Sequence, residues 1–170
     1  CMEVNDSKEF EAIVNQADCV VPDGRPIFWA QKLLGYKSGS QIRGMDLMYA
    51  LCSLANEKRL KLGFYGGRTD ELLNGLVNIL SHLYPNAEIS YAYSPPFRSL
   101  YKNERNKVLG DITDSDIDIL FVGIGCPKQE RWMAENKGSL NCMMVGVGAA
   151  FDFIVDGKKH APRWIQYFGF

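Results

Sequence analysis

The stretch Ile119–Arg131, ILFVGIGCPKQER, constrains the fold of this chain more than any other. Ile119–Val122 is an unbroken apolar run, and a strand without polar alternation is one covered on both faces, as in a parallel sheet. Gly123 and Gly125 end it, and Pro127 suits the first position of a helix, where its missing N–H costs nothing. A strand that passes through a glycine turn into a helix N-terminus is how α/β proteins present backbone N–H groups to an anion. The same residues serve equally as a tight connection whose glycines only permit the turn.

The pattern recurs along the chain. Strands are expected at Cys19–Val21, Leu60–Tyr65, Ile89–Tyr93, Ile117–Val122 and Cys142–Val147. Helices are expected from Asn5–Ser7 to about Asn15 and from Pro26 to Leu34, the latter with Ile27, Ala30, Leu33 and Leu34 as its apolar stripe. A further helix runs from near Asp46 to about Asn56 with Leu47, Ala50, Leu51 and Leu54 inward, and others span Asp70–Leu83, Leu100–Val108 and Pro127–Asn136. Strands alternating with helices predict an α/β fold, a Rossmann-like, mostly parallel sheet with helices on both faces. Residues 1–170 are expected to form a single domain.

Composition narrows the function classes. A net charge of −1 gives no basic field for nucleic acid. The five cysteines are scattered without zinc-type spacing, which suggests reduced thiols and a cytoplasmic chain. His82 and His160 are too separated for a metal site, and no apolar run reaches membrane-spanning length.

Ligands of open parallel sheets bind beyond the carboxyl ends of the strands. Gly66-Gly67, Gly123/Gly125, Gly146/Gly148 and the turn Pro22-Asp23-Gly24 would gather there. None is a full GxGxxG fingerprint and there is no GxxxxGK[ST], which disfavours dinucleotide and Walker-type readings. Asp23 in its turn is either a general base or an Asx-turn residue bonding its own backbone. Lys128 and Gln129 could hold a diphosphate beside the helix dipole, or lie on a solvated face; Glu130 and Arg131 stay undecided. Asp152 could contact a sugar hydroxyl or cap the next segment. Lys158, Lys159, His160 and Arg163 form a positive patch, either phosphate-binding or an exposed loop, and Tyr91, Tyr93 and Phe97 offer a stacking wall or core packing.

Five blocks carry a family resemblance: Ala17–Gly35 (ADCVVPDGRPIFWAQKLLG), Arg43–Met48 (RGMDLM), Phe64–Gly67 (FYGG), Phe121–Met133 (FVGIGCPKQERWM) and Val145–Trp164 (VGVGAAFDFIVDGKKHAPRW). Together they resemble the WecG/TagA/CpsF family of bacterial glycosyltransferases, glycosyltransferase family 26, in family order over nearly the whole chain. The resemblance implies inverting transfer of an N-acetylmannosamine-type sugar from a UDP-sugar to a polyprenyl-diphosphate-linked acceptor in cell-surface polysaccharide synthesis. It implies Asp23 as catalytic base, with Gln129, Arg43, Gly66, Gly67, Gly123, Gly125, Lys128, Gly148, Asp152 and Arg163 binding substrate. No metal and no cofactor beyond the donor is expected. A non-catalytic nucleotide-sugar binding module is the alternative from another class.

The chain departs from the family pattern at three places. Gln41 stands where members often carry an arginine, Arg68-Thr69-Asp70 lacks a third glycine, and a Thr-x-Asn segment is expected upstream of Cys1. A C-terminal appendage that touches the membrane is expected after Phe170, making the protein peripheral on the inner face of the cell membrane, with a homo-oligomer left open.

Overall fold

The computed structural model describes residues 2–36 and 40–157. In chain order they form α1 (Met2–Asp6), α2 (Lys8–Asn15), α3 (Arg25–Leu33), α4 (Gly44–Lys58), β1 (Lys61–Gly66), α5 (Asp70–Leu83), β2 (Glu88–Tyr93), α6 (Lys102–Asp114), β3 (Ile119–Gly123), α7 (Lys128–Asn136), β4 (Met143–Gly146) and α8 (Ala150–Val155). The strands pair in the order β2-β1-β3-β4, every pair parallel. No helix among the described residues is long and apolar enough to cross a membrane.

Alternation along the strands divides the core in two. Leu62, Phe64, Ile119 and Phe121 point to one face, where α4, α5 and α8 contribute Met48, Cys52, Leu73, Leu76, Leu80, Phe151 and Ile154. Tyr65, Leu120 and Val122 point to the other, packed against Val108 and Ile112 of α6 and Trp132 and Met133 of α7. Both faces of β3 are therefore filled, as its apolar sequence requires. Each buried Leu or Phe contributes about 1.5–3 kcal/mol relative to exposure. Phe64 stacks on Phe121 with ring centres 5.5 Å apart and meets Phe151 edge-on, which seats α8 beneath the ends of β1 and β3.

Local signals also place the helix starts. The Ser7 hydroxyl accepts the Phe10 N–H and the Thr69 hydroxyl accepts the Leu72 N–H, capping α2 and α5. Arg98 grips Glu104 through two contacts of 2.6 Å, and Glu104 also accepts the Tyr101 N–H at the start of α6. Ion pairs of Arg131 with Glu9 and Lys137 with Asp18 tie the N-terminal segment to α7.

Four expectations are corrected. Cys19–Val21 is not a strand: Val20 is exposed, and the backbone bond nearby, from the Ile42 N–H, goes to the carbonyl of the following residue, Pro22. Three β-branched or apolar residues do not make a strand without a neighbouring ladder to join. The helix α3 forms, but Ile27, Ala30, Leu33 and Leu34 stay exposed, because periodicity defines a face without supplying its partner. In α4 the inward residues are Met48, Cys52 and Ala55, while Ala50 and Leu54 face out. That helix is apolar nearly all round, so spacing alone cannot set its rotation. Finally α6 runs to Asp114, past the expected Val108.

Candidate active site

The order in which strands are added reverses between β1 and β3, since β2 lies on one side of β1 and β4 on the far side of β3. Such a switch point opens a crevice at the carboxyl ends of its two strands. Gly66 and Gly123 face each other there in register, and the Gly67 N–H donates to the Gly123 carbonyl at 3.3 Å.

The glycines divide by what surrounds them. At Gly66, with φ +142°, a Cβ would lie 2.5 Å from the Gly123 carbonyl carbon, and at Gly123 it would lie 2.9 Å from the Phe151 ring. These two are glycine because strands and α8 close up on them. Gly125 and Gly148 also have positive φ, but nothing lies within 4 Å of where a Cβ would be. Their open sides belong to the ligand side of the sheet, whereas a Cβ at Gly67 would touch Leu72 and Leu73 at 3.5 and 3.6 Å.

A cleft of about 540 Å³ lies over this edge. Its floor is Gly67, Gly123, Gly125 and Gly148, so the turns after β1, β3 and β4 share one opening. Trp132, which stacks on Tyr65 at 4.5 Å, and the loop Pro95–Leu100 form one wall. Arg68, Arg98, Arg105, Lys128 and Arg131 bring five cations to it, against Glu135 and Asp152. Four of the five are paired: Arg68 with Asp152, Arg98 with Glu104, Arg105 with Glu135 and Arg131 with Glu9. Lys128, exposed on the first turn of α7, makes no ion pair among the described residues. Charge, helix N-terminus and open glycine turns together favour a phosphorylated anion.

Gln129 lies beneath this floor and is 6% exposed. Its Oε1 accepts the Gly148 N–H at 3.1 Å and its Nε2 donates to Glu130 Oε1 at 2.9 Å. Pro127 takes the N-cap of α7 rather than the expected first helical position, so the helix starts one residue later, and the Gln129 N–H returns to the Gly125 carbonyl. Partial burial, and after it the neighbouring Glu130 charge, push the Cys126 thiol up.

Asp23 sits at the end of an irregular strip and is exposed. Among the described residues its carboxylate accepts no hydrogen bond, so the Asx-turn alternative is not formed; its carbonyl instead accepts from Gln41 Nε2 at 2.5 Å. This strip leads through Ile42 to Gly44, where a Cβ would lie 2.7 Å from the Val147 carbonyl oxygen. Asp23 is thereby linked to the turn that carries Gly148, though it does not line the cleft itself. Arg43 caps α4 and forks onto Asp46 at 2.7 and 3.2 Å. Asp152 lines the cleft with its carboxylate on Arg68. Arg163 and the rest of the Lys158–Arg163 patch lie outside the described residues.

Of the expected stacking wall, Tyr91 and Tyr93 pack in the core beside Tyr65, whereas Phe97 is exposed at the cleft. Sequence reasoning missed Arg68, Arg98, Arg105 and Trp132. Arg68 directly follows Gly67 and Arg98 follows Pro96-Phe97, so a search for cations just past strand ends finds those two.

Comparison with known proteins adds relatives to this geometry. Residues 1–170 match the family described as Glycosyl transferase WecG/TagA/CpsF. The chain is 27% identical over 159 residues to an N-acetylglucosaminyldiphosphoundecaprenol N-acetyl-beta-D-mannosaminyltransferase of Bacillus subtilis (strain 168), covering 93% of this chain and 60% of the relative. It is 31% identical over 151 residues to a protein of the same name from Staphylococcus aureus (strain NCTC 8325 / PS 47), covering 88% of this chain and 57% of the relative. The chain thus spans about three fifths of the length of these relatives.

Proposed function

The chain belongs to the WecG/TagA/CpsF family of glycosyl transferases, and from that premise we propose that it forms the donor-binding and catalytic part of an N-acetylmannosaminyltransferase. The acceptor is a sugar carried on a polyprenyl diphosphate, as the relatives' names state for them, and the donor is a UDP-sugar, as the family resemblance implies. The observation that carries the reading is the convergence of three strand-end turns on one cationic cleft at the switch point.

UDP lies over the carboxyl edge of the sheet, its diphosphate facing the Gly125 turn at the start of α7 and Lys128, which makes no ion pair among the described residues, while the Gly67 and Gly148 turns line the cleft beside it. The acceptor hydroxyl oxygen attacks the anomeric carbon as Asp23 takes its proton, the bond from that carbon to the β-phosphate oxygen breaks, and configuration inverts. An ordinary aspartate, with a pKa of about 3.9, is a weak base, so it works by accepting the proton while the new bond forms. Its carboxylate accepts no hydrogen bond among the described residues, which suits that task, while its carbonyl is held by Gln41. The leaving diphosphate gains charge, and fixed N–H donors with Lys128 stabilise it without a metal. A polyprenyl acceptor resides in a membrane, so transfer takes place at the inner face of the cell membrane, with the protein bound peripherally.

Asp23→Asn tests the base assignment. Turnover with UDP-N-acetylmannosamine and a lipid-diphosphate acceptor should fall by about 10²–10⁴-fold, with UDP affinity within about twofold. Full turnover in the variant would remove Asp23 from the mechanism, while UDP binding without turnover in the unaltered protein would identify a binding module instead. Turnover that persists in EDTA would support the metal-free step.

A further inference from the structure

Gln129 and Asn136 are the buried polar side chains among the described residues. The Gln129 carboxamide bridges two partners of different character. Its oxygen takes the Gly148 N–H, and its nitrogen donates to Glu130. A carboxamide has nearly the same shape in either orientation, so packing alone does not choose between them. Flipped, Nε2 would face the Gly148 N–H, donor against donor. Glu130 Oε1 accepts from Nε2, and this contact selects the orientation that leaves the amide oxygen for Gly148.

We propose that Glu130 is a positioning residue of the donor cleft, acting through Gln129 to hold the Gly148-Ala149 turn in its cleft-lining position. Two further observations support this. Gly146 lies against the amide, with a Cβ there 3.1 Å from Gln129 Nε2, so β4 leaves room for the carboxamide at this level. Among the described residues the second Glu130 oxygen, Oε2, is buried without a hydrogen-bond partner, a standing cost that a residue kept only for stability would not carry. Glu130 does not line the cleft, whereas Gly148 and Ala149 do. The inference rests on the reading of this cleft as the UDP-sugar site.

The test compares Glu130→Gln, which keeps an acceptor for Nε2, with Glu130→Met, which matches its length and offers none. UDP affinity is measured by calorimetry, and exchange of the Gly148 amide proton by NMR. Glu130→Met should weaken UDP binding about tenfold and speed Gly148 exchange by a similar factor, the scale of one hydrogen bond. Its melting temperature should stay within about 3 °C, because the burden of Oε2 disappears as Nε2 loses its partner. In turnover the donor KM should rise while kcat changes less than about threefold. Glu130→Gln should remain within about threefold of the unaltered protein in every readout. Equal losses in the two variants would overturn the proposal, since charge rather than an acceptor would then matter. Weaker UDP binding with unchanged Gly148 exchange would also overturn it. If the unaltered chain binds no UDP, the donor reading fails, and Gly148 exchange alone still decides the role of Glu130.

Discussion

Replacing Gly66 with alanine tests whether this glycine serves the sheet or the ligand. Two costs add. Its φ of +142° lies where L side chains are strained, a cost of about 1–3 kcal/mol. The new methyl group would lie 2.5 Å from the Gly123 carbonyl carbon and closer still to its oxygen, so the backbones of β1 and β3 must part. Overpacking of this kind costs a further 1–3 kcal/mol or so. The sum is about 4 kcal/mol, a large share of the roughly 5–15 kcal/mol that holds a domain folded. At about 2–4 °C per kcal/mol for a chain of this size, the melting temperature should drop by about 8–16 °C. Gly125→Ala is the control: φ is +83° but nothing lies within 4 Å, so the backbone term of about 2 kcal/mol acts alone and the drop should be about 4–8 °C. Thermal unfolding followed by circular dichroism reads both. A Gly66→Ala protein melting within about 3 °C of the unaltered chain would refute the close-approach account, and so would a larger loss in the control.

Three further outcomes follow from the same structure. Lys128→Ala should weaken UDP binding about tenfold, the low end of a hydrogen bond to a charged group, with the deficit shrinking as salt rises; calorimetry at two ionic strengths checks it. Arg98, and after it the Tyr101 N–H, hold the Glu104 carboxyl down to about 2 from 4.5. A depressed carboxylate stabilises the fold above pH 4.5 and loses that contribution as pH falls toward 2. Glu104→Gln should flatten this part of the acid-side fall in melting temperature, and parallel curves for the two proteins would count against the Arg98 clamp. Cys52 is fully buried and burial pushes its thiol up to about 12, so it should resist alkylation in the native state at pH 8 while exposed Cys19 reacts, as peptide mass mapping would show.

The βα alternation, the buried strands and the glycine turns were legible in the chain itself. Apolar runs such as Ile119–Val122, the Thr69 cap and the leucine spacing of Asp70–Leu83 act through local sterics and side-chain periodicity, which neighbouring residues express without help from elsewhere. Asp23, Lys128 and Gln129 stood out for the same local reason, each at or beside a turn.

Tertiary structure decided everything that depends on which elements become neighbours. The order β2-β1-β3-β4 brings Gly67, Gly125 and Gly148 to one cleft, while Gly66 and Gly123 are claimed by strand contact and by Phe151. Arg68, Arg98 and Arg105 come from separate segments and become one cationic lining only once the strands are ordered. The rotation of α4 and the exposure of α3 are set in the same way, by packing partners remote in sequence. Hydrophobic pattern shows that a face must be covered; only the assembled chain shows what covers it, because that choice is the sum of many long-range contacts and no local one.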